Sequence, residues 1–597
     1  MTCRAWTLKE FDRTALKELT SAIAEQNTEE LEQNALDDEP WSEQKYAATL
    51  AAQQKEAGLL AGVLAARGIT DPAEALTLLA GEEELSDPML LTDMDKACAR
   101  ILEAIDKEQT IVVYGDYDVD GVTATALLYQ HLKGMGANVK CMLPSREGDG
   151  YGLSKNAVQS IHDKGCQLIV TVDNGISALE EADFAASLGV DLIVTDHHLP
   201  HDTLPHAVAV VDPRRADDHS PFKGLCGAGV AFKLCAALDG CPPEEMLDYC
   251  GDLAAVGTVA DVMPLTGENR TLVKAGLKLL QQTDRPGFSA LLEEVGLAGR
   301  PITAENVSYA IAPRINAAGR MDNAVTALQL VLCEEEERAE ELAHKLNEIN
   351  VARQETEQEI VRAAQEQLDA EPAILEDRVI LIWGRDWHPG VIGIVASRLT
   401  EIYYRPAVVL TRTDDMATGS ARSVSGFDVY KAIEYCRDLL ENFGGHTYAA
   451  GLSMKVENVP AFIERFEEFV SQNILPEQTC AVIDINAEID FRDITPKFFS
   501  DLKKFNPFGP DNAKPIFCTH NVYDYGTSKV VGRDQEHIKL ELVDNKSNNV
   551  MNGIAFGQSS HVRFIKTKRS FDICYSIEEN THKRGEVQLQ IEDIKPN

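Results

Sequence analysis

The chemistry in this sequence is carried by carboxylates and imidazoles that recur at the ends of short apolar runs. Ile111-Val112-Val113-Tyr114 leads into Gly115-Asp116-Tyr117-Asp118-Val119-Asp120-Gly121, and Leu168-Ile169-Val170-Thr171-Val172 leads into Asp173-Asn174-Gly175. Leu192-Ile193-Val194-Thr195 is followed by Asp196-His197-His198, and Val208-Ala209-Val210-Val211 by Asp212-Pro213. Carboxylates gathered at one place repel one another, and a cation is the usual remedy. Oxygen ligands with one or two imidazoles suit Mn²⁺ or Mg²⁺ better than zinc held by thiolates. Asp118 and Asp120, alternating along the chain, could serve neighbouring ions. Two divalent cations about 3.5–4 Å apart can activate water and neutralise both oxygens of a phosphoryl displacement. Taken singly, each residue has a plainer reading. An Asp after a strand is often a turn former or a helix N-cap, and a lone His is more often a hydrogen-bonded surface or core residue. Asp212-Pro213 stays open between a structural and a functional role. The recurrence after several strands is what points to a shared metal site.

These residues need elements that bring them together. Stretches such as Thr125 to Leu132 place helices between the apolar runs, which reads as βαβ units around a parallel sheet. The carboxyl ends of such strands form one ligand-binding rim. Residues 243–330 read as helical, with a loop at Pro313 to Arg320 near their end. Leu332 to Glu371 contains no Gly or Pro and carries an intermittent apolar stripe, which predicts a long connecting helix. A second α/β region follows, with a strand at Val379 to Trp383, the turn His388-Pro389-Gly390, a helix from Val391 to Leu399 and a strand from Pro406 to Leu410. Alternation such as Ile538 to Leu542 and Val587 to Ile591 predicts a small β-barrel at the C-terminal end. The expected fold class is α/β multidomain. It has a helical region over 1–90, a parallel-sheet domain with a helical extension over 91–330, a connecting helix over 331–375, a second α/β domain over 376–475 and a barrel over 476–597.

The bulk numbers agree with a large globular chain. Its 597 residues exceed one core, and 44% of them are apolar. No apolar run reaches the roughly 18 residues of a membrane span, and Met1 to Trp6 lacks the apolar stretch of a signal peptide. Thirteen scattered cysteines without a Cys-x-x-Cys pair fit reduced thiols and a cytoplasmic location. The net charge of −40 weighs against a polyanionic partner. Residues 501–597 hold 14 basic and 13 acidic residues, however, so the whole acidic excess lies in the first 500 positions.

Asp196-His197-His198 resembles the signature of the DHH phosphoesterases, and Gly115 to Gly121 resembles their first motif in the form used by single-strand-specific exonucleases. Thr171 to Gly175 is similar to the second motif, Gly257-Thr258-Val259-Ala260-Asp261 to the fourth, and Gly444-Gly445-His446 with Ala450-Gly451 to the glycine-rich motif of the DHH-associated domain. The resemblance covers about residues 85–597. It implies a parallel-sheet DHH domain, a DHH-associated domain and an OB-fold barrel. It implies hydrolysis of single-stranded DNA from the 5′ end, releasing 5′-mononucleotides with two divalent ions, Mn²⁺ or Mg²⁺. The implied metal ligands are Asp118, Asp120, Asp173, His197 and Asp261, with Asp173 shared between the ions. Asp116 and His198 would line the site, and Asn174 would orient ligands. Arg146, Ser420 and Arg422 match positions that recognise a terminal 5′ phosphate, Arg314 and Arg320 positions near the scissile strand, and His446 a contact in the cleft. Phe505, Phe508, Tyr523, Tyr525 and Phe564 are available in the barrel for base stacking, although most should be core. A single-strand-binding protein and a repair helicase are the implied protein partners. Two other readings stay open: a DHH enzyme acting on short oligonucleotides or other small phosphates, and a non-catalytic replication scaffold of the same fold.

Overall fold

The computed structural model describes residues 4–35, 43–81, 83–144, 152–375, 378–580 and 585–597. The chain forms two compact units, one built mainly from residues 87–261 and 275–482, the other from 6–86, 262–274 and 483–597.

The first unit contains the predicted parallel sheet. Strands β1 (Thr110–Tyr114), β2 (Asn138–Met142), β3 (Leu168–Val172), β4 (Asp191–Thr195) and β5 (Ala209–Val211) lie in the order β2-β1-β3-β4-β5, all parallel. The order reverses beside β1, so the loops leaving β1 and β3 flank the crevice where such sheets bind ligands. Every residue of β3 is buried. Burial on both faces explains why the strands read as continuous apolar runs rather than alternating ones. Helix α1 (Val119–Gly134) starts at Asp118, whose carboxylate accepts from the Gly121 amide at 3.0 Å. Two further helices, α2 (Gly227–Asp239) and α3 (Pro243–Ala260), pack with it.

The segment Pro313 to Arg320, expected as a loop, is helical. It forms α4 (Ala312–Met321), preceded by a π-helical turn at Val307–Ile311. Pro313 stands in the first turn, where its missing N–H removes no intrahelical bond. Helix α5 (Glu336–Ala370) runs for 35 residues with Leu342, Leu346, Ile360, Ala364 and Leu368 buried, as the apolar stripe predicted. It leads to a second sheet made of β6 (Ile380–Arg385), β7 (Ala407–Thr413), β8 (Met416–Arg422), β9 (Asn442–His446) and β10 (Ala449–Lys455). Their order is β9-β10-β8-β7-β6, with only β6 and β7 parallel. Helix α6 (Ile392–Tyr403) packs on this sheet through Ile392, Val395 and Leu399.

The second unit holds the predicted barrel. Strands β11 (Phe517–Asp524), β12 (His537–Asp544), β13 (Val550–Ala555), β14 (Phe571–Glu579) and β15 (Val587–Pro596) close into a ring, because β11 pairs with both β14 and β12. The N-terminal helices belong to the same core. Leu19, Ile23, Leu60 and Leu64 cluster with Phe498, Phe517, Leu540 and Tyr575. Asp71 caps the helix Pro72–Ala80 by accepting from the Glu74 amide at 2.9 Å. Arg270, 1% exposed, joins parts of this unit by bonding the Glu83 carboxylate and the carbonyls of Leu78 and Lys504. Of the five barrel aromatics singled out in the sequence, Phe505 is core, Phe508 and Phe564 pack against that core, and Tyr523 is half-buried. Tyr525 alone is exposed, as is Phe556, which sits edge-on to His537. No helix among the described residues is long and apolar enough to cross a membrane.

Candidate active site

The rim of the parallel sheet gathers the acids. Nε2 of His197 lies 3.0 Å from an Asp173 oxygen, 3.6 Å from Asp261 and 3.8 Å from Asp120. Asp116, Asp118 and Asp173 form a second cluster, so Asp173 is shared between the two. His198 approaches Asp173 and His197 from a third side. Asp173 has φ +63°, a left-handed conformation that is strained for a side-chain-bearing residue. Its amide donates to the Thr195 carbonyl at 3.1 Å, which fixes this kink against β4.

Asp120 is held by backbone. Its two oxygens accept from the amides of Gly227 at 2.6 Å and Ala228 at 2.9 Å. Those amides open α2, whose N-terminal dipole favours a negative charge there. Neither amide carries a sequence signature, and the sequence reading missed both. A Cβ on Gly227 would fall 2.3 Å from the Asp173 Cβ, so only glycine lets α2 approach this closely. Gly257 is constrained in the same way, since a Cβ there would lie 2.6 Å from Asp120 Oδ1.

Asp196, the first residue of the Asp-His-His motif, is a positioning residue. It is fully buried, and its Oδ1 accepts from the His197 amide at 2.7 Å and pairs with His198 Nδ1 at 2.7 Å. Its Oδ2 accepts from the Ile176 amide at 2.9 Å. Burial opposes the charge on His198, but the bond to Asp196 together with the negative charges of Asp196, Asp261 and Asp120 outweighs it and pushes that ring up to about 9. Asn174 is buried, and its Nδ2 donates to the carbonyls of Tyr114 and Val172, tying β1 to β3.

Several site atoms lack a hydrogen bond. Asp116 Oδ1, Asp173 Oδ1 and both ring nitrogens of His197 are buried without a hydrogen-bond partner. Burial and the charge of Asp118 push Asp116 up to about 8, and burial with the charge of Asp120 pushes Asp261 up to about 8. Asp173 is raised well above the usual carboxylate range by burial and by Asp120 and Asp118. Burial lowers His197 to about 4, leaving a neutral imidazole with lone pairs to offer. Orphaned oxygens, mutual repulsion and a neutral imidazole at one point are the electrostatic requirements of a divalent cation site.

The second sheet supplies the cationic part. Register pairs His446 with Ala449 and Ala449 with Arg422, while Gly444 pairs with Gly451 and Gly451 with Ser420. Alternation along the strands puts these residues on one face, so Arg422, Ser420 and His446 stand around a floor of small residues. Arg422 Nη1 donates to Ser420 Oγ at 2.8 Å. Burial, together with the nearby charge of Arg320, lowers Arg422. Arg320 Nη1 reaches the Gly390 carbonyl at 3.4 Å, just before α6. Gly393 in the first turn of α6 leaves room for Arg422 and Ser420, since a Cβ there would be 3.0 Å from each. Two like charges sharing a partly buried pocket fit an anion. The two sites are coupled through α4, because Gly319 touches Tyr117, between Asp116 and Asp118; a Cβ on it would fall 2.6 Å from the Tyr117 carbonyl oxygen. Arg314, one turn earlier, is tied to Asn347 of α5 and to the Ala310 carbonyl. Arg146 lies outside the described residues.

Known proteins share this architecture. Residues 110–258 match the DHH family N-terminal domain, 376–472 the DHHA1 domain and 485–593 the RecJ OB domain. The chain is 38% identical over 493 residues to the single-stranded-DNA-specific exonuclease RecJ of Bacillus subtilis, covering 82% of this chain and 62% of that protein. It is 34% identical over 522 residues to the RecJ of Escherichia coli, covering 84% of this chain and 89% of that one. The crystal structure of RecJ from Thermus thermophilus in complex with Mn²⁺ superposes with a TM-score of 0.79 at 29% identity, over 99% of this chain and 80% of that one. The chain therefore belongs to the RecJ family of DHH phosphoesterases.

Proposed function

We propose that the protein is a metal-dependent exonuclease that degrades single-stranded DNA from its 5′ end. The observation that carries this reading is the convergence of Asp116, Asp118, Asp120, Asp173, His197 and Asp261, with buried unpaired atoms, at the rim of the sheet in a chain of this family. Asp118, Asp120, Asp173, His197 and Asp261 would hold two divalent ions, Mn²⁺ or Mg²⁺. When bound, the ions supply a lowered pKa for attacking water and charge neutralisation at the phosphate.

The chain's own residues do the rest. Asp173 presents one carboxylate to both clusters. Asp196 holds His198 protonated, so that its second ring nitrogen can donate to a phosphate oxygen. Arg422, Ser420 and Arg320 receive the terminal 5′ phosphate, and a planar guanidinium suits that anion. His446 stands on the same face of the sheet, Arg146 matches a position expected to recognise the same phosphate, and Arg314 holds α4 in register beside the strand. Anchoring the end fixes which linkage reaches the acids, so one 5′-mononucleotide leaves per cycle. The barrel of residues 485–593 supports long strands over small phosphates, because a small substrate needs no second nucleic-acid module. A single-strand-binding protein and a repair helicase, both cytoplasmic, are the partners such an activity calls for.

The test is degradation of end-labelled single strands with Mn²⁺, Mg²⁺ or chelator. Release of 5′-labelled mononucleotide at the earliest times, only with metal, supports the reading. Equal activity after exhaustive removal of divalent ions overturns it.

A further inference from the structure

The segment after β5 carries two adjacent arginines with opposite fates. The Asp196 amide donates to the Val211 carbonyl at 3.0 Å, which sets Asp212 and the residues after it beside the Asp-His-His loop. Asp212 is fully buried, and its Oδ1 accepts from the Arg214 amide at 2.7 Å. Arg215 turns into the domain, where it bonds Asp93, Asp217 and the Val210 carbonyl. That bonding accounts for Arg215 entirely as scaffold. Arg214 points outward, is exposed, and its guanidinium has no hydrogen bond or ion pair among the described residues.

This lack of a partner is unexpected for an arginine in such company. The turn that carries it is bonded to the Asp-His-His loop and to buried Asp212, which puts it on that side of the site, and its charge is felt at His197, Asp261 and Asp212. The neighbouring Arg215, by contrast, has its guanidinium committed to Asp93 and Asp217. Here backbone bonds hold the Asp-Pro-Arg-Arg turn so that one guanidinium is kept beside the acids yet bound to none of them. Such a group is free to take an anion that arrives with the substrate, and its five fixed donors fit a phosphate bidentately.

We propose that Arg214 is a substrate-contacting residue that binds a non-bridging oxygen of the scissile phosphate, beside the acids and distinct from the pocket of Arg320 and Arg422. The inference rests on the exonuclease reading above. A contact aimed at the reacting phosphate strengthens as charge builds there, so it should act on turnover more than on binding.

The experiment uses the full chain with saturating Mn²⁺ and a 5′-phosphorylated oligothymidylate. Arg214→Gln, Arg214→Lys and Arg338→Gln are compared, the last removing one positive charge from exposed α5. Arg214→Gln is expected to lower kcat by about 10²-fold, the scale of losing one donor to a developing anion. KM should change little, Arg214→Lys should recover part of the loss, and Arg338→Gln should match wild type. Mn²⁺ affinity is measured by calorimetry in parallel. If Arg214→Gln tightens Mn²⁺ binding and leaves kcat unchanged, the residue only tunes the acidic cluster and the proposal falls. A loss in KM alone overturns it too, since that marks a remote phosphate contact. If wild type itself leaves the strand intact, the exonuclease reading fails instead, whereas an active wild type with an equally active Arg214→Gln sinks this inference alone.

Discussion

At the scale of single residues, Asp173 concentrates the site's requirements. It is buried, adopts φ +63°, belongs to both acid clusters and has an unpaired oxygen. Asparagine tolerates that left-handed backbone, so Asp173→Asn isolates the charge from the shape. We expect it to reduce kcat by about 10⁴-fold, the scale of losing one member of a constellation that acts as a unit. Thermal melts give an independent readout. Wild type should gain about 2.7 kcal/mol from Mn²⁺ at a hundredfold excess over its Kd, and Asp173→Asn should lose that gain while melting higher than wild type in chelator, because a repelling charge is gone. A variant that still gains full stability from Mn²⁺ would remove Asp173 from the metal ligands. In the other pocket, Arg422→Ala should reduce the preference for 5′-phosphorylated over 5′-hydroxyl ends by about 10-fold or more, since a charged hydrogen bond contributes about 1.5–3 kcal/mol. Comparing rates on the two ends measures it, and an unchanged preference moves the phosphate elsewhere. Asp116, Asp118, Asp120 and Asp173 were legible in the sequence because each follows an apolar run, whereas Asp261, at the end of α3, was marked only by the resemblance of its motif. The amides of Gly227 and Ala228 were not, since a backbone donor reached across 107 residues leaves no residue-type signal.

At the scale of elements, α4 is the instructive case. Pro313 and Gly319 within eight residues suggested a loop, and local preference alone would keep that reading. Proline in the first turn breaks no intrahelical bond, however, and the glycine is required by a neighbour rather than by a turn. Glycine inside a helix is usually less stable than alanine by about 1 kcal/mol, so propensity alone predicts that Gly319→Ala raises stability. A Cβ 2.6 Å from the Tyr117 carbonyl oxygen reverses that sign. The helix must shift away from the loop bearing Asp116 and Asp118, carrying Arg320 with it. We expect Gly319→Ala to destabilise the fold by about 1–3 kcal/mol of overpacking, read as a lower melting temperature, and to reduce kcat/KM on single strands. A stabilised, fully active variant would show that α4 does not couple the two parts of the site. The parallel sheet and α5 were legible because their apolar periodicities extend over many residues, whereas a short segment under a tertiary constraint carries too little pattern to outweigh its proline and glycine.

At the scale of the whole molecule, the sequence showed a neutral C-terminal end but not what covers it. Leu19 and Leu60 lie more than four hundred positions from Phe498 and Tyr575, yet they share one core. No periodicity links such distant segments. The charge distribution, in contrast, is readable directly and has a kinetic consequence. A net charge of −40 repels a polyanion at long range, while Arg320 and Arg422 attract it only nearby. At about 0.01 M salt the screening length is about 30 Å, so an approaching strand feels the whole acidic surface. At about 0.1 M it is about 10 Å, and the strand feels mainly the cations lining its path. Still higher salt weakens those contacts through counterion competition. With Mn²⁺ held constant, kcat/KM on a long single strand should therefore rise between about 10 and 100 mM KCl and fall above that. Ordinary nucleic-acid binders lose affinity monotonically with salt. A steady decline from the lowest concentration would mean that basic side chains around the strand's path dominate the field even at long range, and that the acidic excess faces away from it.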